Sequence, residues 1–297
     1  MQKRKFLVGL VLVTSVLTSS IVYQRWGYES RRQQAANEET GYVAPQEGSG
    51  DARGHKSGNN ESSWAEVLIV AENLLASMRS DVRDYQGVLL ARERVAGKLS
   101  EESRIQIKVR NPSEEHGLSA YLKFESAASK GREVIWSEDH PEGMLVAHEG
   151  GLKRILGTLE LDPNGMLAMA GQKYPITDIG LLRLAEKLIE KGEKESQNPQ
   201  AQVRIIENQM VGDRVCRMYQ ATNPNKRDDS EFYIAQVCID VERNVPLRFT
   251  SYMRPEEPGQ APPLEEEYTY LNLELNPGLT DLDFDRENPN YNFPLPK

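Results

Sequence analysis

The sequence predicts an α+β fold, a large antiparallel sheet packed against two amphipathic helices. Three observations carry this. Runs rich in Val, Ile, Tyr, Phe and Thr, bounded by Gly, Pro or Asn, recur from Tyr85 to Leu275 as about ten or eleven strands. Apolar residues fall at helical spacing in only two stretches. The strand runs cluster before and after the second of these rather than alternating with helices, which is the antiparallel pattern and not the βαβ one. A sheet of ~10 strands tends to curl. Helices on its concave side would partly fill the hollow and leave an apolar space beside them.

Taken in order, Ser62-Ser63 can cap a first helix. Trp64, Val67, Leu68, Ala71, Leu74, Leu75, Met78 and Val82 then form one apolar stripe. Tyr85–Val95 and Arg104–Val109 read as a hairpin, followed by short strands at Leu118–Phe124, Glu133–Trp136 and Met144–His148. Leu159–Leu161, the turn Asp162-Pro163-Asn164-Gly165 and Met166–Ala170 read as another hairpin. Thr177 is placed to cap a second helix from Asp178 to about Lys194, with Ile179, Leu182, Leu184, Ala185, Leu188 and Ile189 on its apolar face. Val203–Val211 and Arg214–Ala221 follow around a Gly212-Asp213 turn. Last comes a meander of Phe232–Val241, Val245–Tyr252 and Glu266–Leu275, its first turn at Arg243-Asn244, because Asn tolerates positive φ.

The amino terminus reads differently. Lys3, Arg4 and Lys5 precede an uncharged, mostly apolar run from Phe6 to Tyr23. Residues 1–30 therefore read as a signal peptide or a single-span membrane anchor with Trp26 and Tyr28 near the interface. Residues 31–61, rich in Gly, Ser, Gln, Glu and Asn, cannot bury enough to offset their ordering entropy and read as a disordered linker. The folded domain is expected over 62–297, outside the cytoplasm.

Composition excludes some functions. The chain of 297 residues has 45 acidic against 36 basic residues, a formal charge of −9, and no basic block interleaved with aromatics in its folded part, so nucleic acid is not an expected partner. Its four histidines, His55, His116, His140 and His148, form no metal-ligand spacing, and neither a zinc-protease nor a serine-hydrolase motif occurs. The glycines from Gly48 to Gly58 fall in the linker and not in a strand–loop–helix phosphate site. No cofactor, metal or catalytic residue is expected. Cys216 and Cys238 fall in strands that flank one loop. If those strands pair about the middle of Thr222–Ser230, the thiols come close to opposite each other. An oxidising compartment would then permit a disulfide; otherwise they are buried free thiols.

The run AQVCIDVERNVPLRFTSY, with Asp240 ending a strand and Pro246-Leu247 opening the next, resembles the bacterial outer-membrane lipoprotein carrier superfamily, the LolA-like group. Asn244 stands where that group has Gly. The stretch YTYLNLELNPGLTDLDFD is similar to its closing strand, and the first helix, the YQG strand and GREVIW also fit. The resemblance covers roughly residues 64–293 and points to an uncharacterised bacterial family within the superfamily. It implies a half-open antiparallel barrel closed by helices, carrying lipid or lipoprotein acyl chains across the envelope. The carrier's cavity-gating Arg has three candidate positions here, Arg92, Arg94 and Arg110. The expected function is non-enzymatic binding of a lipid or acyl chain in an apolar cavity. The alternative is a membrane-tethered protein-interaction module with a packed interior. Expected lining residues are Leu68, Leu75, Leu182 and Leu188 from the helices and Tyr233, Val237, Ile239 and Phe249 from the meander.

Overall fold

A computed structural model describes residues 60–224, 232–257 and 259–294. The expected leader (1–30) and all but the end of the expected linker (31–61) lie outside the described residues. Among the described residues, no helix is long and apolar enough to cross a membrane.

Among the described residues, thirteen strands form one sheet, two or three more than expected, and every pairing is antiparallel. They are β1 (Asn60–Ser62), β2 (Asp84–Val95), β3 (Lys98–Leu99), β4 (Ser103–Arg110), β5 (Ser119–Phe124), β6 (Glu133–Ser137), β7 (Leu145–His148), β8 (Thr158–Leu161), β9 (Gln202–Val211), β10 (Arg214–Thr222), β11 (Ile234–Asp240), β12 (Pro246–Tyr252) and β13 (Leu264–Leu275). The spatial order is β1-β9-β10-β11-β12-β13-β2-β4-β5-β6-β7-β8, with β3 beside β2. The sheet is curved and open. The meander sits in its middle, and the seam between β13 and β2 joins distant parts of the chain, with Tyr85 opposite Leu275.

One face is apolar along its length. Tyr219, Val237, Phe249, Tyr268 and Ala91 occupy consecutive paired positions across five strands. Leu89, Ile105 and Phe124 continue the same face. Both helices, α1 (Trp64–Asp81) and α2 (Leu181–Ser196), contribute apolar side chains to cavities on this side. The opposite face of β4–β7 is covered by the end of the chain. Lys108 pairs with Asp283 at 2.7 Å and Arg110 with Asp281 at 2.6 Å. The Tyr291 ring stacks on Tyr121 at 3.9 Å, and Phe293 packs with Tyr121, Ile135 and Val146.

Local chemistry explains most boundaries. Ser63 caps α1 in a reciprocal box: its hydroxyl accepts from Glu66 N–H, and the Glu66 carboxylate accepts from Ser63 N–H at 2.9 Å. Asn244 sits at φ 53°, as its turn requires. Asp240 locks that turn by accepting from the backbone of Glu242 and Arg243 and from Arg214 at 2.7 and 3.0 Å.

Three expectations are corrected. Met166–Ala170 is not a strand but a helical-type turn, in which Met169 N–H donates to Gly165 O at 2.9 Å. The Asp162 side chain and carbonyl close the preceding turn, and the chain then coils on itself instead of pairing with the free edge of β8. The second helix starts at Leu181, after a short 3-10 turn over Ile176–Asp178, and Thr177 does not cap it. Its cap position is Gly180 at φ 107°, and the first free N–H, from Leu181, donates to the buried Tyr85 hydroxyl at 2.9 Å. A side chain at 180 would meet that hydroxyl at 2.9 Å, which is why glycine stands there. The cysteines are both free, and they are diagonal rather than opposed: Cys216 faces Asp240 and Cys238 faces Met218.

The helix–sheet joint gives a stability prediction. Tyr85→Phe leaves the Leu181 N–H buried without an acceptor. Urea unfolding is expected to show a loss of about 1–3 kcal/mol with an unchanged slope.

Candidate functional site

The principal cavity lies between the apolar sheet face and the chain that runs from β8 into α2. Its volume is about 390 Å³. The floor comes from β2 and β4–β8, with Leu89, Ile105, Leu122, Val134, Ala147 and Leu159 pointing in. Phe249, Tyr268 and Tyr270 close the side toward the meander, and Leu184 and Leu188 of α2 line it from above. The remaining cover is the segment from Pro163 to Gly180, which contributes Leu167, Ala168, Ala170, Tyr174 and Ile179. Register explains the floor. The paired positions Ile107, Leu122, Val134, Ala147 and Leu159 run across five neighbouring strands, so one alternation places all their side chains on the same face.

A polar knot ties the cover to the sheet. Glu93 of β2 and Glu266 of β13 are direct cross-strand partners on the cavity face. Lys173 N–H donates to Glu93 at 2.8 Å, and its ammonium reaches Glu265 at 2.7 Å and Glu266 at 3.4 Å. The Tyr174 hydroxyl donates to Glu266 at 3.3 Å, and Ser251 Oγ donates to the same oxygen at 3.2 Å. Tyr268 donates to Glu93 at 2.6 Å. Burial, and then the Glu93 and Glu266 carboxylates beside it, push the Tyr268 phenol far up, so it is a donor at any ordinary pH. Lys187 of α2 pairs with Asp178 of the cover at 2.7 Å and lies over the Tyr174 ring.

A second hollow of about 100 Å³ lies between α1, α2 and β10–β12, lined almost wholly by apolar groups. The sequence-expected residues divide between the two. Leu188 and Phe249 line both cavities, while Leu68, Val237 and Ile239 line only the smaller. Leu75 and Leu182 are buried but line neither, and the Tyr233 ring lies under the Arg254 guanidinium instead. None of the candidate gating arginines lines the main cavity. Arg94 donates to the Leu264 carbonyl and Arg110 is held by Asp281, whereas Arg132, held by Glu149 at 2.7 Å, is the arginine on the cavity wall. The sequence reading missed the floor over β4–β8 and the whole cover. The floor was signalled by the alternation of Ile105 with Ile107 and of Leu122 with Phe124. The Lys173–Glu93 tie had no local signal.

The family model described as a protein of unknown function, DUF1571, matches residues 82–293. The chain belongs to the DUF1571 family. No curated protein matches this DUF1571 chain. Among solved structures it is similar to an outer membrane lipoprotein-sorting protein domain from Vibrio parahaemolyticus, at 13% identity and TM-score 0.34, covering 75% of this chain and 97% of that one. A LolA superfamily protein from Nitrosomonas europaea is similar at 10% identity and TM-score 0.33, covering 73% and 97%. MucB is similar at 15% identity and TM-score 0.43, covering 74% of this chain and 62% of MucB.

Behind the floor, Glu133 of β6 fixes the end of this DUF1571 chain. Its buried carboxylate accepts from the Asn292 N–H and side-chain amide, each at 2.9 Å, and lies 3.5 Å from His148 Nε2. Burial alone would raise this carboxyl. The His148 ring and the Asn292 donors outweigh it and hold the pKa below the ordinary glutamate value. A depressed folded pKa contributes stability that is present above the unfolded value of about 4.3 and lost as pH falls through the folded one. Glu133→Gln is therefore expected to flatten the fall in Tm below about pH 4.3, read by thermal melts from pH 7 to pH 3.

Proposed function

We propose that the domain binds one acyl chain, of a lipid or a lipoprotein, in the main cavity, and that it does so in the cell envelope without catalysing a reaction. The observation that carries this is the cavity itself. At about 390 Å³ it falls in the range of about 300–1,000 Å³ typical of small-ligand pockets. Its floor is aliphatic and aromatic, so the driving term is burial of methylenes at ~0.8 kcal/mol each. The residues that could serve as an acid/base pair, Glu93 and Glu266, direct their oxygens to Lys173, Tyr174, Ser251 and Tyr268, which supports a binding role. The basic and apolar sequence of residues 1–30 supports export, with the chain either tethered to the inner membrane or released on its outer side. The unfilled cavity supports this reading over the alternative of a fully packed interaction module.

Two measurements test the proposal. Native mass spectrometry of chain isolated from a membrane-containing host is expected to show a lipid-sized adduct, and a fluorescent fatty acyl probe is expected to displace it. Chain that carries no adduct and takes up no probe sinks the reading. In a variant, Ala168→Trp places a large ring in the cover over the cavity. Displacing two methylenes of a bound chain removes about 1.6 kcal/mol, so probe affinity is expected to fall by more than tenfold with an unchanged circular dichroism spectrum.

A further inference from the structure

The exposed apolar surface is not scattered evenly. Of thirteen large apolar side chains exposed among the described residues, six lie between 152 and 167: Leu152, Ile155, Leu156, Leu159, Met166 and Leu167. Leu159 belongs to β8, the strand at one end of the sheet, and the other five flank it. The most exposed belong to the 3-10 turn Gly151–Leu156 between β7 and β8, where Leu152 is 97% and Ile155 90% accessible. Side chains three apart on a 3-10 turn eclipse each other, so Leu152 and Ile155 form one ridge. Here Lys153 and Arg154 stand between the two apolar residues, both exposed and without an ion-pair partner among the described residues.

The base of this loop is fixed. A side chain at Gly150 would meet the Lys130 carbonyl at 1.9 Å, so the loop can leave the sheet only by lying against the β5–β6 turn. Glu149 is pinned to Arg132 at 2.7 Å. That contact brings exposed Lys130 to the same corner, while the nearby acids Glu149 and Glu160 are taken up by Arg132 and Arg286. The result is an apolar ridge with cations beside it, on a loop whose base is placed by the Gly150 and Glu149 contacts.

We infer that the Gly150–Gly157 loop docks on a lipid bilayer carrying anionic headgroups, with Leu152 and Ile155 entering the acyl boundary and Lys130, Lys153 and Arg154 contacting phosphates. This is the arrangement of an interfacial anchor. A second copy of the chain is the competing occupant, through the open edge of β8. That strand has only four residues and carries exposed Glu160 in its middle, both of which oppose edge pairing. The stems of the loop, His148-Glu149 and Leu159, line the main cavity, so docking would bring the membrane to the cavity's mouth.

The test uses the full chain in vesicles containing phosphatidylglycerol, with an environment-sensitive fluorophore on Ile155→Cys. The chain without that substitution, whose two cysteines are buried, gives the labelling background. Lipids with brominated acyl chains are expected to quench this probe several-fold more than one on Leu282→Cys, an exposed apolar position on the tail. K153Q/R154Q is expected to lower the ratio of docked to free loop about thirtyfold. Equal quenching at 155 and 282, or quenching that is the same in phosphatidylcholine vesicles, overturns the inference. So does a dimer in sedimentation velocity of the detergent-solubilised chain that L152E/I155E abolishes. The outcome is separable from the cavity reading. L152E/I155E is expected to leave acyl-probe uptake unchanged, and a cavity that refuses the probe leaves the quenching at 155 in place.

Discussion

Lys173 reaches across the junction of β2 and β13. Its backbone binds Glu93, its ammonium binds Glu265 and Glu266, and these three carboxylates belong to the two strands that close the middle of the sheet. Two acids directly opposite each other in a ladder repel. Here that repulsion is relieved by one cation and by the Tyr268 and Tyr174 hydroxyls. The cover is thus tied to the sheet by the same groups that allow β2 and β13 to pair at that position. An ion cluster in this setting is costly to desolvate, and its value lies in fixing one arrangement of cover on floor. The cover's apolar residues could slide over an aliphatic floor, whereas its charges bind at one place.

The sheet sets a second condition. Its apolar face runs across both halves, from Tyr219 to Leu159. Two helices shield one part, and α2 and the cover roof the other without filling it. The hollow is therefore what remains when a wide curved wall is closed by a short helix and a loop. The wall can be that wide because its other face is reinforced over β4–β7 by the Asp281–Pro294 tail, through Lys108, Arg110, Glu133 and the stacked Tyr121–Tyr291 pair.

How much of this was legible in the sequence follows from where each signal resides. Period-2 runs and turn dipeptides are local, so most of the strands, the Asn244 turn and the capped α1 were readable, while Asp240 was flagged only through the family resemblance. The start of α2 was not, because its first N–H is satisfied by Tyr85, a residue far away in the chain. Thr177 looked like a cap by local rule and was outcompeted by that hydroxyl and by the Gly180 backbone. Met166–Ala170 has strand composition, but the turn that Asp162 closes runs on into a helical-type turn with Met169 bound to Gly165, and the free edge of β8 stays unpaired. The candidate lining drew on the meander because it is the most apolar stretch. Of the eight residues named, Leu188 and Phe249 line the larger cavity, and Leu68, Val237 and Ile239 reach only the smaller. The floor lies on strands whose outward faces carry Gln106, Lys108 and Arg110, which made them read as exposed.

The seam between β2 and β13 has a consequence for how the molecule is made. The strand that begins the sheet's second half must wait for one of the last segments of the chain, and until then β2 presents an open ladder on that side. Long-range closure of this kind is slow, because most of the chain's freedom is lost before the pairing returns anything. A chain emerging from the ribosome would remain an unclosed wall until Leu264–Leu275 arrives. The strands from β2 to β8 can pair in order as they appear, but the two halves of the wall join only when that last strand is present.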